Sequence, residues 1–199
     1  MEAPTERATG TSSAILEAAR RCLLEAGFAG LSTRRIADEA GVPLSQIHYH
    51  FGSKQRLVLA VLARDDARLL GRQEELFAAD LPLWKQWEQA CDFLEDDLAS
   101  GYVRVLQEML AAGWSDPEVA DAVRTHLQGW YGLIADVAGR AADRLGGLGP
   151  FEPAEIAALV GDAFLGAEST ILLGVGEADV PSRSALRKVG ALIRMLEGA

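Results

Sequence analysis

Apolar residues recur at three- and four-residue spacing along almost the whole of this 199-residue chain, and that period leaves little choice of architecture. Side chains so spaced line one face of a helix, whereas a half-buried strand needs strict alternation. No long alternating run of β-branched residues occurs. Glycine and proline punctuate the pattern. Ser12 or Ser13 can cap a first helix whose stripe is Ile15, Ala18, Ala19, Cys22, Leu23 and Ala26, with Gly27 placed to end it in a left-handed cap. Ser32 can cap a second helix to Ala40, stopped by Gly41 after two turns. Pro43 suits the opening of a third, through about His50. Ser53 caps a fourth that reaches Leu70 or beyond. Five more follow: Leu83 to about Ser100, Tyr102 to about Trp114, Asp116-Pro117 to near Leu145, Pro153 to Leu173, and Ser182 to Leu196. The spacing predicts an all-α chain of about nine helices. A mobile arm over residues 1–12 precedes them.

The charge balance looks wrong for a polyanion partner until the chain is divided. Net charge is −10. Residues 1–70 carry nine Lys/Arg against eight Asp/Glu, while residues 71–199 carry ten against twenty-one. Between Arg20 and Leu59 six basic residues (Arg20, Arg21, Arg34, Arg35, Lys54, Arg56) face three acids. Screening over about 10 Å lets such a patch act independently of the acidic remainder. Cys22 and Cys91 both sit within apolar helical patterns and read as buried free thiols, which suits a reducing cytoplasm. Met1–Ser13 is polar and includes Glu2 and Glu6, so no secretory signal is expected there. The most apolar stretch, Ile156–Val175, carries Asp162 and Glu168, which argues against a membrane span.

The most informative block runs from Leu31 to Lys54. It places two short helices on either side of Gly41, the grammar of a helix-turn-helix. Gly41 can take positive φ without steric cost. Ala37 and Ala40 are small enough for the third helix to cross closely. Ile47 and Phe51, four apart, anchor that helix inward. Ser45, Gln46 and Tyr49 are left pointing outward, with Leu44 and His48 at the border. Seven residues span about 10 Å, short enough to enter one major groove.

These residues resemble the tetracycline-repressor (TetR) family. The correspondence lies in Thr33, Ile36, Ala37, Ala40, Gly41, Val42, Ile47, His48, Tyr49, His50, Phe51 and Lys54, and extends without a gap from Ile15 to Leu59. Two positions depart from the family pattern. His48 stands where Tyr is usual, and Pro43 where a capping Ser or Asn is common. The resemblance implies a DNA-binding helix-turn-helix domain over residues 13–59, continuing into a linking fourth helix to about 70. It implies a helical effector-binding and dimerisation domain over 71–199. It further implies that Thr33, Tyr49, His50 and Lys54 contact phosphates, and that Arg34, Leu44, Ser45, Gln46 and His48 face base edges. The partners expected are a double-stranded operator, a second copy of the chain, and a small hydrophobic or amphipathic effector. No membrane partner is expected.

Beyond residue 71 the pattern is less specific. All four tryptophans lie there, and Trp84, Trp87, Cys91, Met109, Trp114, Trp130 and Phe164 can line an apolar effector pocket. The same residues can equally form ordinary core. Wide apolar faces on the last two helices predict a four-helix dimer interface, with Leu159, Phe164, Ala167, Ile171, Leu186, Val189 and Ile193 as its candidates. The His48-x-His50 spacing points the two rings apart, so no metal site is expected, and no cofactor. No nucleophile elbow, phosphate-binding loop or convincing carboxylate pair occurs, so the chain reads as no enzyme. The alternative to a regulator is a helical protein-interaction module without sequence-specific DNA binding.

Overall fold

The computed structural model describes residues 4–198, and no strand occurs among them. Its helices are α1 (Pro4–Gly30), α2 (Thr33–Ala40), α3 (Leu44–Phe51), α4 (Lys54–Ala78), α5 (Leu83–Ser100), α6 (Tyr102–Gly113), α7 (Pro117–Leu145), α8 (Pro153–Leu172) and α9 (Ser182–Leu196). Most of these bounds fall within a residue or two of the glycines, prolines and serines that punctuate the sequence. Among the described residues, no helix is long and apolar enough to cross a membrane.

The first helix departs most from expectation. It begins at Pro4, not at Ser12 or Ser13, so the arm expected over residues 1–12 is helical from Pro4 onward, and Met1–Ala3 lie outside the described residues. Proline at a first helical position gives up no hydrogen bond, and Glu6, Arg7 and Ala8 are good helix formers. Gly27 has the expected positive φ (68°), but its ψ of 174° kinks α1 and does not end it, and a last turn continues to Gly30. Ser32 occupies the cap position of α2 in extended conformation, yet its side chain makes no capping bond. Ser53 does cap: the Arg56 N–H donates to its Oγ at 3.1 Å.

The chain divides into two compact units. One comprises residues 1–67 and 104–123, the other 68–103 and 124–199. The expected boundary near residue 70 is therefore only part of the division, because α6 and the start of α7 cluster with the N-terminal helices. In the first unit Ile15, Leu23, Ile36, Ile47, Leu57, Val58 and Val61 are buried together with Val105, Met109 and Val119.

In the second unit α9 packs against α5 and α8. Small residues permit that approach. Trp87 lies against the backbone of α9 at Gly190, and Tyr131 of α7 lies against Gly161 of α8, where an added Cβ would come within 2.4 Å of its ring. The Tyr131 hydroxyl donates to Asp162 at 2.6 Å. Burial, reinforced by that carboxylate, pushes the phenol well above its ordinary pKa. Glu197, just past α9, accepts the Leu83 and Trp84 N–H groups at 2.9 and 3.1 Å, satisfying donors that every helix start leaves orphaned. Arg72 of α4 donates to both Asp97 oxygens at 2.9 and 2.8 Å, and lies 3.8 Å from the centre of the Phe93 ring. Burial raises the Asp97 pKa against the opposing pull of Arg72.

Candidate nucleic-acid interface

The turn between α2 and α3 follows directly from Gly41. Its φ of 65° and ψ of 33° are left-handed. Its N–H donates to the Asp38 carbonyl at 3.2 Å, and the Val42 N–H reaches back to Ala37 at 3.0 Å. This is a Schellman closure, which satisfies two carbonyls at the end of α2 while redirecting the chain. Pro43 then opens α3, and its carbonyl accepts the Gln46 N–H at 2.9 Å. Ile36, Ala37 and Ile47 are buried, so α3 is held to the rest of the unit by one face.

The other face is open. Leu44, Ser45 and His48 are exposed, and Tyr49 is 80% exposed. Gln46, expected to point outward, is half-buried, as are Thr33 and His50, while Arg34 is exposed. Phe51, expected as an inward anchor, is also only half-buried. The His48 Nδ1 lies 3.3 Å from the Gly52 carbonyl oxygen. With Nδ1 as the donor, the neutral ring presents Nε2 as an acceptor, a role the usual tyrosine hydroxyl can also fill. The Tyr49 and His50 rings meet edge to face at 5.0 Å.

The basic patch read from the sequence is narrower in three dimensions. Arg20 pairs with Asp65 at 2.9 Å, Arg21 with Glu39 at 2.9 Å, Arg56 with Glu118 at 2.6 Å, and Arg35 with Glu25. Arg20–Asp65 is part-buried and the other three pairs are exposed, so those three contribute little stability, but each of the four cancels a positive charge locally. Arg34 and Lys54 are the remaining two of the six. Lys54 is half-buried at the start of α4, and its Nζ donates to the Phe28 carbonyl at 3.1 Å. No sequence signal announces that contact, since Phe28 lies in the last turn of α1, beyond the kink.

The expected effector residues are only partly brought together. Trp87, Phe164 and Trp130 form an edge-to-face cluster, with centroids 5.7 and 6.5 Å apart. Cys91 is buried, and Trp84 lies beneath the Arg194 guanidinium at 4.8 Å. Met109 instead belongs to the core of the first unit, and Trp114 is 86% exposed at the end of α6, so neither joins the cluster. Glu168 is buried one turn beyond Phe164 on α8, and the Tyr102 hydroxyl lies 3.2 Å from His126 Nε2. The second unit also has a groove of about 490 Å³ lined by Glu74, Phe77, Asp80, Leu133, Asp136, Arg140 and Arg144. None of the seven expected pocket residues lines it.

The expected dimer residues divide as well. Phe164, Ala167 and Leu186 are buried within the unit and face its own core, because α8 and α9 use that stripe to pack on α5 and each other. Ile171, Val189 and Ile193 are half-buried. Leu159 is exposed, as is Leu196 at the end of the apolar face expected on α9, while the exposed Leu173, Leu192 and Met195 were not among the candidates. Among the described residues, no group of three His, Cys, Asp or Glu is arranged to hold a metal ion.

Comparison with known proteins agrees with this geometry. Residues 15–61 match the family model of bacterial regulatory proteins, tetR family. The HTH-type transcriptional repressor AcnR of Corynebacterium glutamicum is 39% identical over 64 residues, covering 32% of this chain and 34% of that protein. The chain therefore matches only about a third of that relative's length. Over nearly its whole length it shares a fold with a TetR transcription regulator from Haloarcula marismortui (TM-score 0.76, 19% identity, 93% and 96% of the two chains). It does so equally with FadR from Bacillus subtilis, solved in complex with stearoyl-CoA (TM-score 0.75, 13% identity, 91% and 96%). The glycine-closed turn and the open α3 face both lie within residues 15–61, the stretch that matches the model of the tetR family of bacterial regulatory proteins.

Proposed function

We propose that the chain is a ligand-responsive transcriptional repressor that binds duplex DNA as a dimer through α3. The observation that carries this reading is the open face of α3, with Leu44, Ser45, His48 and Tyr49 exposed on a helix that Ile47 fastens from behind. Arg34, Leu44, Ser45, Gln46 and His48 read base edges in the major groove, while Thr33, Tyr49, His50 and Lys54 take phosphates and set the register. A two-fold dimer presents two such helices about 34–36 Å apart, one turn of duplex, and so reads a near-palindromic operator. The exposed apolar side chains of α8 and α9 are the surface proposed to join the copies.

The effector of this reading is a small hydrophobic or amphipathic molecule bound among the C-terminal helices near Trp87, Trp130 and Phe164. FadR, with the same fold, was solved with stearoyl-CoA, which supports a small-molecule ligand in principle. The effector favours a dimer whose two heads are spaced wrongly for DNA, and the population shifts accordingly.

The test is fluorescence anisotropy with a duplex from the region upstream of the chain's own gene, at two salt concentrations, against a scrambled duplex. Sequence-selective binding that weakens steeply with salt is expected. Indifference to both duplexes at low salt would favour a helical protein-interaction module instead.

A further inference from the structure

Lys54, the cation assigned to a DNA phosphate in the preceding reading, is held by a chain of contacts that leads to α6. Its Nζ donates to the Phe28 carbonyl at 3.1 Å and sits 4.5 Å from the centre of the Phe28 ring. Phe28 follows the kink at Gly27, which takes its N–H out of the regular helical ladder. That N–H donates to the Glu108 carboxylate of α6. A Cβ at Gly27 would lie 3.0 Å from a Glu108 oxygen, so the carboxylate occupies the space a side chain would need. Arg104, one turn earlier on α6, orients that carboxylate: its Nε donates to Glu108 at 3.2 Å, and its Nη1 donates to the Leu24 carbonyl at 2.8 Å. The backbone on either side of the Phe28 α-carbon is thus pinned, with its N–H on Glu108 and its carbonyl on Lys54.

We infer that Glu108 is a positioning residue for DNA binding, acting through Phe28 to hold the Lys54 ammonium at the start of α4. The inference rests on the DNA-binding reading above. A free lysine side chain samples many rotamers, and one already held loses less freedom on meeting a phosphate. An ammonium has three N–H donors, so the Phe28 carbonyl leaves donors for DNA. The sign of the effect is what makes the idea distinctive. An acidic residue near a DNA-binding surface ordinarily repels phosphate, so removing its charge ordinarily tightens binding. A positioning role makes the reach of Glu108 matter, and not its charge.

The test compares Glu108→Asp and Glu108→Gln in the full chain, each with and without Lys54→Ala, by duplex affinity across a salt series. Thermal melting shows that each variant folds. Glu108→Asp keeps the charge but is one carbon short, and is expected to weaken binding about three- to tenfold on every duplex sequence. Glu108→Gln keeps the length and an acceptor oxygen, and is expected to bind at least as tightly as the wild type. In the Lys54→Ala background, Glu108→Asp is expected to cost nothing further. Equal binding by wild type and Glu108→Asp overturns the inference, as does a Glu108→Asp loss that persists undiminished without Lys54. Wild-type protein that ignores duplex DNA overturns the DNA-binding reading and this inference with it, so the two failures are told apart by the wild type alone.

Discussion

The indole nitrogen of Trp87 on α5 donates to the main-chain carbonyl of Leu186 on α9 at 2.7 Å, one turn before the glycine against which the same ring rests. A residue expected only to line a ligand pocket is therefore also a pin between two helices. Trp87→Phe keeps most of the ring and loses the hydrogen bond. We expect it to cost about 1–2 kcal/mol in urea unfolding, since the Leu186 carbonyl is left without that donor. An unchanged midpoint would show that the bond carries no net stability.

Gly41 offers a purer backbone test. Nothing lies within 4 Å of a Cβ built there, so Gly41→Ala creates no clash and probes the left-handed conformation alone. The expected loss is about 1–2 kcal/mol, read as a lowered melting temperature. A melting temperature equal to the wild type's would mean that the turn can be closed some other way.

The two thiols should be silent in the folded protein. Burial pushes the Cys91 pKa to about 11, with the Asp92 and Glu88 charges adding to it, and burial raises that of Cys22 as well. The thiolate is the reactive form, and at pH 8 it is about one part in a thousand at Cys91. An aromatic disulfide reagent should label neither cysteine promptly at pH 8, and both at once in denaturant. Prompt labelling of native protein would contradict the burial of these groups.

The outer face of α9 can be tested apart from its inner one. Leu192 and Met195 are exposed, so Leu192→Glu combined with Met195→Glu should leave the fold intact and yield a monomer in sedimentation. Leu186→Glu, by contrast, should unfold the second unit, because that side chain is buried. A double variant that sediments as the wild type does would overturn the proposal that this face joins two copies.

What could be read from the sequence was what depends on neighbours in the chain. The turn at Gly41, the inward Ile47 and the starts of α5, α7, α8 and α9 all follow from local punctuation and period. The contacts that decide which face of a helix is used do not. Phe28 and Glu108 are eighty residues apart, and nothing in either segment encodes their meeting. Phe164 reads equally well as an outer or an inner residue, because α8 is apolar nearly all round and periodicity cannot choose between two apolar faces. Trp114, grouped with the other tryptophans by residue type alone, falls just past the end of α6 and is exposed there, which residue type does not encode.

The eight residues of α3 have a consequence of another kind. At 1.5 Å per residue the helix is about 12 Å long, enough to lie alongside about four base pairs. A four-letter word recurs by chance about once in 256 positions, while a genome offers on the order of a million or more competing sites. If α3 reads DNA as proposed, one head therefore carries too little information to address a single locus, however well the proposed base readers Gln46 and Arg34 discriminate. Joining two copies squares the rarity of the word, so in the dimer proposed above the apolar outer face of α9 has a meaning beyond adhesion: it would double the length of the message the protein reads.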